Sequence, residues 1–184
     1  MPADFPRLVS LACHDLRTPL ATVQGFAKTL LRNHELDEST TRWLGMIDLA
    51  SDELVDLIET LSVAARIEGG RYEPVLREAD SLELAGAAVP DATGTGATVN
   101  VDPKAAERSV AALARAARRH GGAEVATVVE GERIRIEPVV GAAAPIVLGD
   151  DLKDLGAAVG VRVIRALGGS VELEGERLWI TLPR

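Results

Sequence analysis

The sequence predicts an α+β protein in two parts: a helical hairpin that pairs with a second copy into a dimeric four-helix bundle, then a smaller α+β domain. Three observations carry this. Apolar residues recur at spacings of three and four through two long stretches before residue 68. Gly69-Gly70 then stops that rhythm. Beyond it, short alternating runs interleave with helix starts of the Asp-Pro kind and stops of the Gly-Gly kind. The boundary falls between residues 1–70 and 71–184, and 184 residues suffice for two small domains.

In the first helix the apolar row is Val9, Cys13, Leu16, Leu20, Val23, Ala27 and Leu30, and in the second it is Trp43, Ile47, Ala50, Leu54, Leu57, Leu61 and Ala64. Both rows have the a/d rhythm of a coiled-coil or bundle seam. Between them, Asn33 is the expected C′ residue, and Asp37 and Ser39 are N-cap candidates, giving a hairpin over residues 5–67. One partner helix covers only part of such a face. A twofold pair of hairpins covers the rest, so a homodimer is expected.

In the second part, residues 72–101 alternate weakly and carry Pro74, Pro90 and a flexible run at residues 91–96. Asp102-Pro103 opens a helix in N-cap and N1 fashion, running to about His120 and closing at Gly121-Gly122. Residues 124–137 form a hairpin turning at Gly131. A Gly- and Ala-rich loop follows, then a helix over residues 151–167, Gly168-Gly169, and a closing hairpin through Val171-Glu172-Leu173 and residues 178–182.

Composition excludes several classes. The net charge is −8, with 6 basic against 11 acidic side chains in residues 1–70, which argues against a nucleic-acid partner. Arg115, Arg118 and Arg119 cluster but lack aromatic neighbours for base stacking, and a solvated helix face accounts for them. The weakly polar stretch 138–149 is too short and too rich in Gly and Pro to span a bilayer, so no membrane segment is expected. Cys13 is the only cysteine, which excludes an internal disulfide and fits a cytoplasmic location. Its place in the apolar row makes it a core filler.

The chemistry gathers around His14. It lies two residues before Leu16, about 200° around the helix, and so faces solvent. Thr18 follows one turn later on the same face, Asp15 flanks it, and Pro19 removes the amide that would bond the Asp15 carbonyl, bending the helix there. A carboxylate beside an exposed imidazole can hold one ring nitrogen protonated and leave the other as nucleophile.

The string His14-Asp15-Leu16-Arg17-Thr18-Pro19-Leu20 resembles the H-box of the two-component histidine kinases, and the likeness continues through Val23-Gln24-Gly25-Phe26-Ala27. That resemblance implies a phosphorylated His14, Asp15 as its acid/base partner, Arg17 near the transferred phosphoryl group, and Thr18 orienting water when a receiver domain is dephosphorylated. The second part resembles the GHKL-type ATP-binding α/β sandwich of the same kinases. Residues 155–169 parallel its Leu-Gly-Leu-Ala…Gly-Gly segment and residues 178–183 its last strand.

The nucleotide-holding residues depart from that pattern, so the sandwich is expected to be degenerate. Aligned from Asp102-Pro103, the two family asparagines, one of them the Mg²⁺ ligand, fall on Ala112 and Ala116. Asn100 is the only Asn in residues 71–184 and Glu107 lies too early. Residues 134–141 lack the adenine-binding Asp, and Asp154 stands in place of a phosphate-loop Gly. ATP and Mg²⁺ binding are therefore expected to be lost, leaving no cofactor. The reading is a phosphorelay protein passing phosphate between His14 and receiver-domain aspartates, as dimeric histidine phosphotransferases do, or a response-regulator phosphatase. The alternatives are an ATP-dependent kinase core with an atypical nucleotide site and a non-catalytic dimerisation scaffold.

Overall fold

The computed structural model describes residues 5–32 and 36–184. The chain divides into two units at Gly70/Arg71, where the sequence boundary lies.

The first unit is an antiparallel hairpin of α1 (Phe5–Leu31) and α2 (Glu38–Glu68). Helix α1 runs unbroken through Pro19. Asp37 caps α2, accepting from the Thr40 amide at 3.0 Å and from the Ser39 and Thr40 hydroxyls at 2.5 Å. The proposed C′ residue Asn33 lies outside the described residues.

Within the single hairpin, the packing divides the predicted seams into covered and outward residues. On α1, Cys13 and Ala27 are buried and Leu20 is half-buried, whereas Leu16, Val23 and Leu30, from the same predicted row, are exposed. On α2 the row covered by α1 is Leu44, Asp48, Ser51, Val55, Ile58, Ser62 and Ala65, one residue on from the predicted one. Of the predicted row, Trp43, Ile47, Leu54, Leu57 and Leu61 all face outward. Adjacent rows lie about 100° apart on a helix. A spacing rule finds the most apolar row, and here that row is not the one the partner helix covers. The hairpin interface mixes Leu44, Val55 and Ile58 with small and polar side chains. Gln24 donates to Asp52, and Lys28 Nζ lies 3.7 Å from both Asp48 and Asp52.

The second unit is a two-layer α/β sandwich. Its elements are β1 (Arg77–Asp80), α3 (Ser81–Ala88), β2 (Thr93–Gly96), β3 (Thr98–Val101), α4 (Pro103–Gly121), β4 (Ala126–Gly131), β5 (Arg133–Glu137), α5 (Ala143–Val147), α6 (Leu155–Ala166), β6 (Ser170–Glu174) and β7 (Arg177–Thr181). Strands β1 and β3 pair antiparallel, and a five-stranded sheet runs β2-β4-β5-β7-β6, with only β2-β4 parallel. Cross-strand pairs Ile134–Ile180 and Ile136–Leu178 lie on one face with Val129 and Val171, and they bury against Val110, Leu113 and Ile164 of the helices. Each such side chain contributes about 1.5–3 kcal/mol.

Most predicted elements stand: the Asp102 cap with Pro103 at N1, the Gly122 stop in the left-handed region, the Gly131 hairpin and the closing hairpin. Three differ. Residues 81–88 form helix α3, capped by Asp80, whose carboxylate accepts from the Leu82 and Glu83 amides. The run expected to be flexible contains strand β2. A Cβ on Gly94, at φ +125°, would come 2.1 Å from the Val129 carbonyl oxygen, so glycine is what lets β2 approach β4. The last helix starts at Leu155 rather than 151, because the Asp154 carboxylate accepts from the Ala157 amide at 2.9 Å. Among the described residues no helix is long and apolar enough to cross a membrane.

Candidate functional site

His14 projects from the middle of α1 with 77% of its side chain exposed. It lies off both the row that meets α2 and the outward apolar row, since position 14 falls more than about 100° from either centre. The neighbouring Cys13 is 1% exposed, which shows how sharply one residue step separates core from surface. The thiol is enclosed and offers no second nucleophile at the site.

Among the described residues the imidazole meets the Asp15 carboxylate. His14 Nδ1 lies 3.1 Å from Asp15 Oδ1, and that carboxylate is itself 68% exposed. A carboxylate can only accept, so in the neutral ring this contact favours the tautomer with the proton on Nδ1, which makes Nε2 the lone-pair nitrogen. Arg17 and Thr18 are both exposed and stand three and four residues on, one turn along the same side. The Thr18 carbonyl accepts from the Thr22 hydroxyl at 3.1 Å. The four predicted residues thus share one solvent-facing patch. A nucleophilic nitrogen, a carboxylate, a guanidinium and a hydroxyl lie open to solvent side by side.

Sequence reasoning missed the polar cluster between the helices. Asp48 Oδ1 is buried 3.7 Å from Lys28 Nζ and accepts no hydrogen bond among the described residues. The i,i+4 spacing of Gln24 with Lys28 and of Asp48 with Asp52 was the available signal. Only the register of the hairpin brings the two pairs together.

In the second unit, Ala116 is buried against the core and Ala112 is half-buried at the crossing of α4 and α6. A Cβ on Gly156 would lie 3.4 Å from Ala112 Cβ, and one on Gly160 would lie 3.3 Å from the Ser109 carbonyl oxygen. The two helices are therefore in close contact along this seam. At its end Asp154 caps α6 and also lies 3.3 Å from His120 Nε2, both side chains largely buried. Its carboxylate occupies the amide-rich helix end where an anion would otherwise be held. A groove of about 550 Å³ lined by Glu137, Pro138 and residues 174–177 shares no residue with this seam. Among the described residues no three His, Cys, Asp or Glu side chains gather as metal ligands.

Comparison with known proteins bears on the hairpin first. The profile of the His Kinase A (phospho-acceptor) domain matches residues 7–70, a span that includes all four site residues. No curated protein matches the sequence. Among solved structures, the chain is similar to full-length ShkA in complex with AMPPNP, at 22% identity and TM-score 0.69, over 97% of this chain and 46% of that one. It is also similar to the Acinetobacter baumannii histidine kinase AdeS, at 19% identity and TM-score 0.56, over 93% and 98% of the two chains. The cytoplasmic segment of histidine kinase QseC follows at 14% identity and TM-score 0.54, over 74% and 94%. These likenesses are of fold, and the chain spans less than half the length of the ShkA chain.

Proposed function

We propose, on the premise that this chain belongs to the two-component histidine kinase family through its His Kinase A (phospho-acceptor) domain, that it is a phosphorelay protein whose His14 exchanges phosphate with receiver-domain aspartates without using ATP. The observation that carries the reading is an intact, open His14 patch in a chain whose sandwich has alanine at both asparagine positions. His14 Nε2 attacks phosphorus of a phosphoaspartate. The N–P bond forms, the P–O bond to the aspartate breaks, and the carboxylate leaves. Asp15 holds the Nδ1 proton and offsets the charge that develops on the ring. Reversal onto a second aspartate completes the relay. In this reading Arg17 meets phosphoryl oxygens and Thr18 orients a water in hydrolysis.

A Mg²⁺–nucleotide complex fits the residues of the sandwich poorly. Mg²⁺ requires oxygen ligands in near-octahedral array, and Ala112 and Ala116 supply none. The Asp154 carboxylate would repel a phosphate approaching the start of α6. ShkA was captured with AMPPNP, so that protein's fold accommodates a nucleotide. In this chain the contacts named above are what argue otherwise.

The reading includes a homodimer. Phe5, Val9, Leu16, Val23, Phe26 and Leu30 on α1 form an outward row at spacings of three, four and seven, and Trp43, Ile47, Leu54, Leu57 and Leu61 form another on α2. A second copy of the hairpin buries both rows as a four-helix bundle and leaves each His14 in solvent.

The test uses two donors. Purified protein is incubated with labelled ATP and Mg²⁺, and separately with a receiver domain labelled on its aspartate. Label on the protein from the receiver alone is expected, with none on a His14→Gln variant. Efficient labelling from ATP would overturn the ATP-independent reading.

A further inference from the structure

The outward face of α4 carries a charge pattern that the phosphorelay reading does not use. Its 19 residues hold five Lys and Arg and one acid, Glu107, in a chain of net charge −8. Lys104, Arg108, Arg115, Arg118 and Arg119 are all exposed. At about 100° per residue, Lys104, Arg108, Arg115 and Arg119 fall within an arc of about 60°, opposite the buried residues Ala106, Val110, Leu113 and Ala117. Lys104, Arg115, Arg118 and Arg119 form no ion pair among the described residues.

A merely solvated helix face mixes signs at i,i+4, where opposite charges support the helix and like charges weaken it. Here Lys104/Arg108 and Arg115/Arg119 are both like-charged i,i+4 pairs. Lys104 also sits in the first turn, where the helix dipole disfavours a cation. The like-charged pairs and Lys104 are thus held at a cost to the helix, although Arg118 and Arg119 in its last turn suit the dipole. At physiological ionic strength charges beyond about 8 Å are largely screened, so a partner meets the ridge and not the acidic net charge of the chain.

The middle of the ridge is low. Ala111 lies between Arg108 and Arg115, whose Cα atoms are about 10 Å apart along the axis, about the width of a helix. Small residues at the centre of a helix face allow close crossing, and guanidinium groups on either side match carboxylates in paired geometry. No Phe, Tyr or Trp lies on α4 to stack a base, and His120 is turned toward Asp154, which disfavours a nucleic acid. We propose that the outward face of α4 is a docking saddle for an acidic helix of a partner protein, which crosses over Ala111 and is gripped by Arg115 and Arg119.

The test uses the full chain and a fluorescent, end-blocked helical peptide built from Glu and Ala, read by anisotropy. A helical Lys/Ala peptide, an unstructured poly-Glu of equal charge and a single-stranded oligonucleotide serve as comparison probes. The acidic helix is expected to bind best. Arg115→Glu/Arg119→Glu should weaken it by about tenfold or more. Ala111→Lys is the decisive variant, because it adds positive charge while filling the saddle, and it should weaken binding. Tighter binding by Ala111→Lys, equal binding of poly-Glu, stronger binding of the oligonucleotide, or no binding of the acidic helix would each overturn the proposal. Far-UV circular dichroism of each outward-facing variant confirms that it is folded.

Discussion

His14 exposes 77% of its side chain and meets the Asp15 carboxylate, so its removal should change chemistry and leave the fold alone. A His14→Gln variant is expected to keep its melting free energy within about 0.5 kcal/mol of the parent while accepting no phosphate from a labelled receiver. Thr18→Ala should separate two activities. Phosphate transfer to His14 should persist, whereas the rate at which a phosphorylated receiver loses inorganic phosphate should fall, as followed by phosphate release. Asp37 gives a different, pH-linked prediction. Hydrogen bonds from Ser39 first, then from Thr40, hold its carboxyl well below the usual carboxylate range. A depressed folded-state value means that the stabilisation is present above the unfolded pKa, about 3.9, and is lost as pH falls through the folded value. Acid titration of helicity should therefore show α2 fraying only at strongly acidic pH, and Asp37→Asn should remove that component.

At the scale of elements, the α4–α6 crossing depends on residues too small to separate the helices. A Cβ at position 160 would meet the Ser109 carbonyl oxygen at 3.3 Å and its Cα at 3.4 Å, so Gly160→Val forces a branched side chain against the α4 backbone. A loss of about 1–3 kcal/mol is expected in denaturant unfolding. Helix α3 shows how an element is missed. Its Asp80-x-x-Glu83 start is the pattern of a capping box, yet only eight residues follow it, too few for apolar periodicity to emerge. The strand at residues 93–96 was hidden for the opposite reason. Glycine signals a loop locally, and only the approach of Val129 requires it in a sheet.

At the scale of the molecule, the first unit exposes more apolar surface than a solitary hairpin can tolerate. Phe26 is 67% and Trp43 63% exposed, each within a row of similar residues. Val23→Glu combined with Leu57→Glu places charges in both outward rows. Sedimentation velocity is expected to show a dimer for the parent and a monomer with reduced helicity for the double variant. A parent chain that remains monomeric at high concentration would refute the bundle.

The sequence alone determined the hairpin, the order of most elements in the sandwich, and the patch of His14, Asp15, Arg17 and Thr18. These rest on local quantities: helical period, cap and stop residues, and side chains within one turn of each other. Tertiary structure decided which row of each helix meets its partner in the hairpin, because two apolar rows about 100° apart satisfy the same spacing and only interhelical register selects between them. It also brought Gln24 and Lys28 to Asp48 and Asp52, and His120 to Asp154, across separations that no periodicity encodes. The outward basic face of α4 was legible as a cluster of arginines. That it is a one-signed ridge over a low centre followed only once the opposite face was seen to be buried.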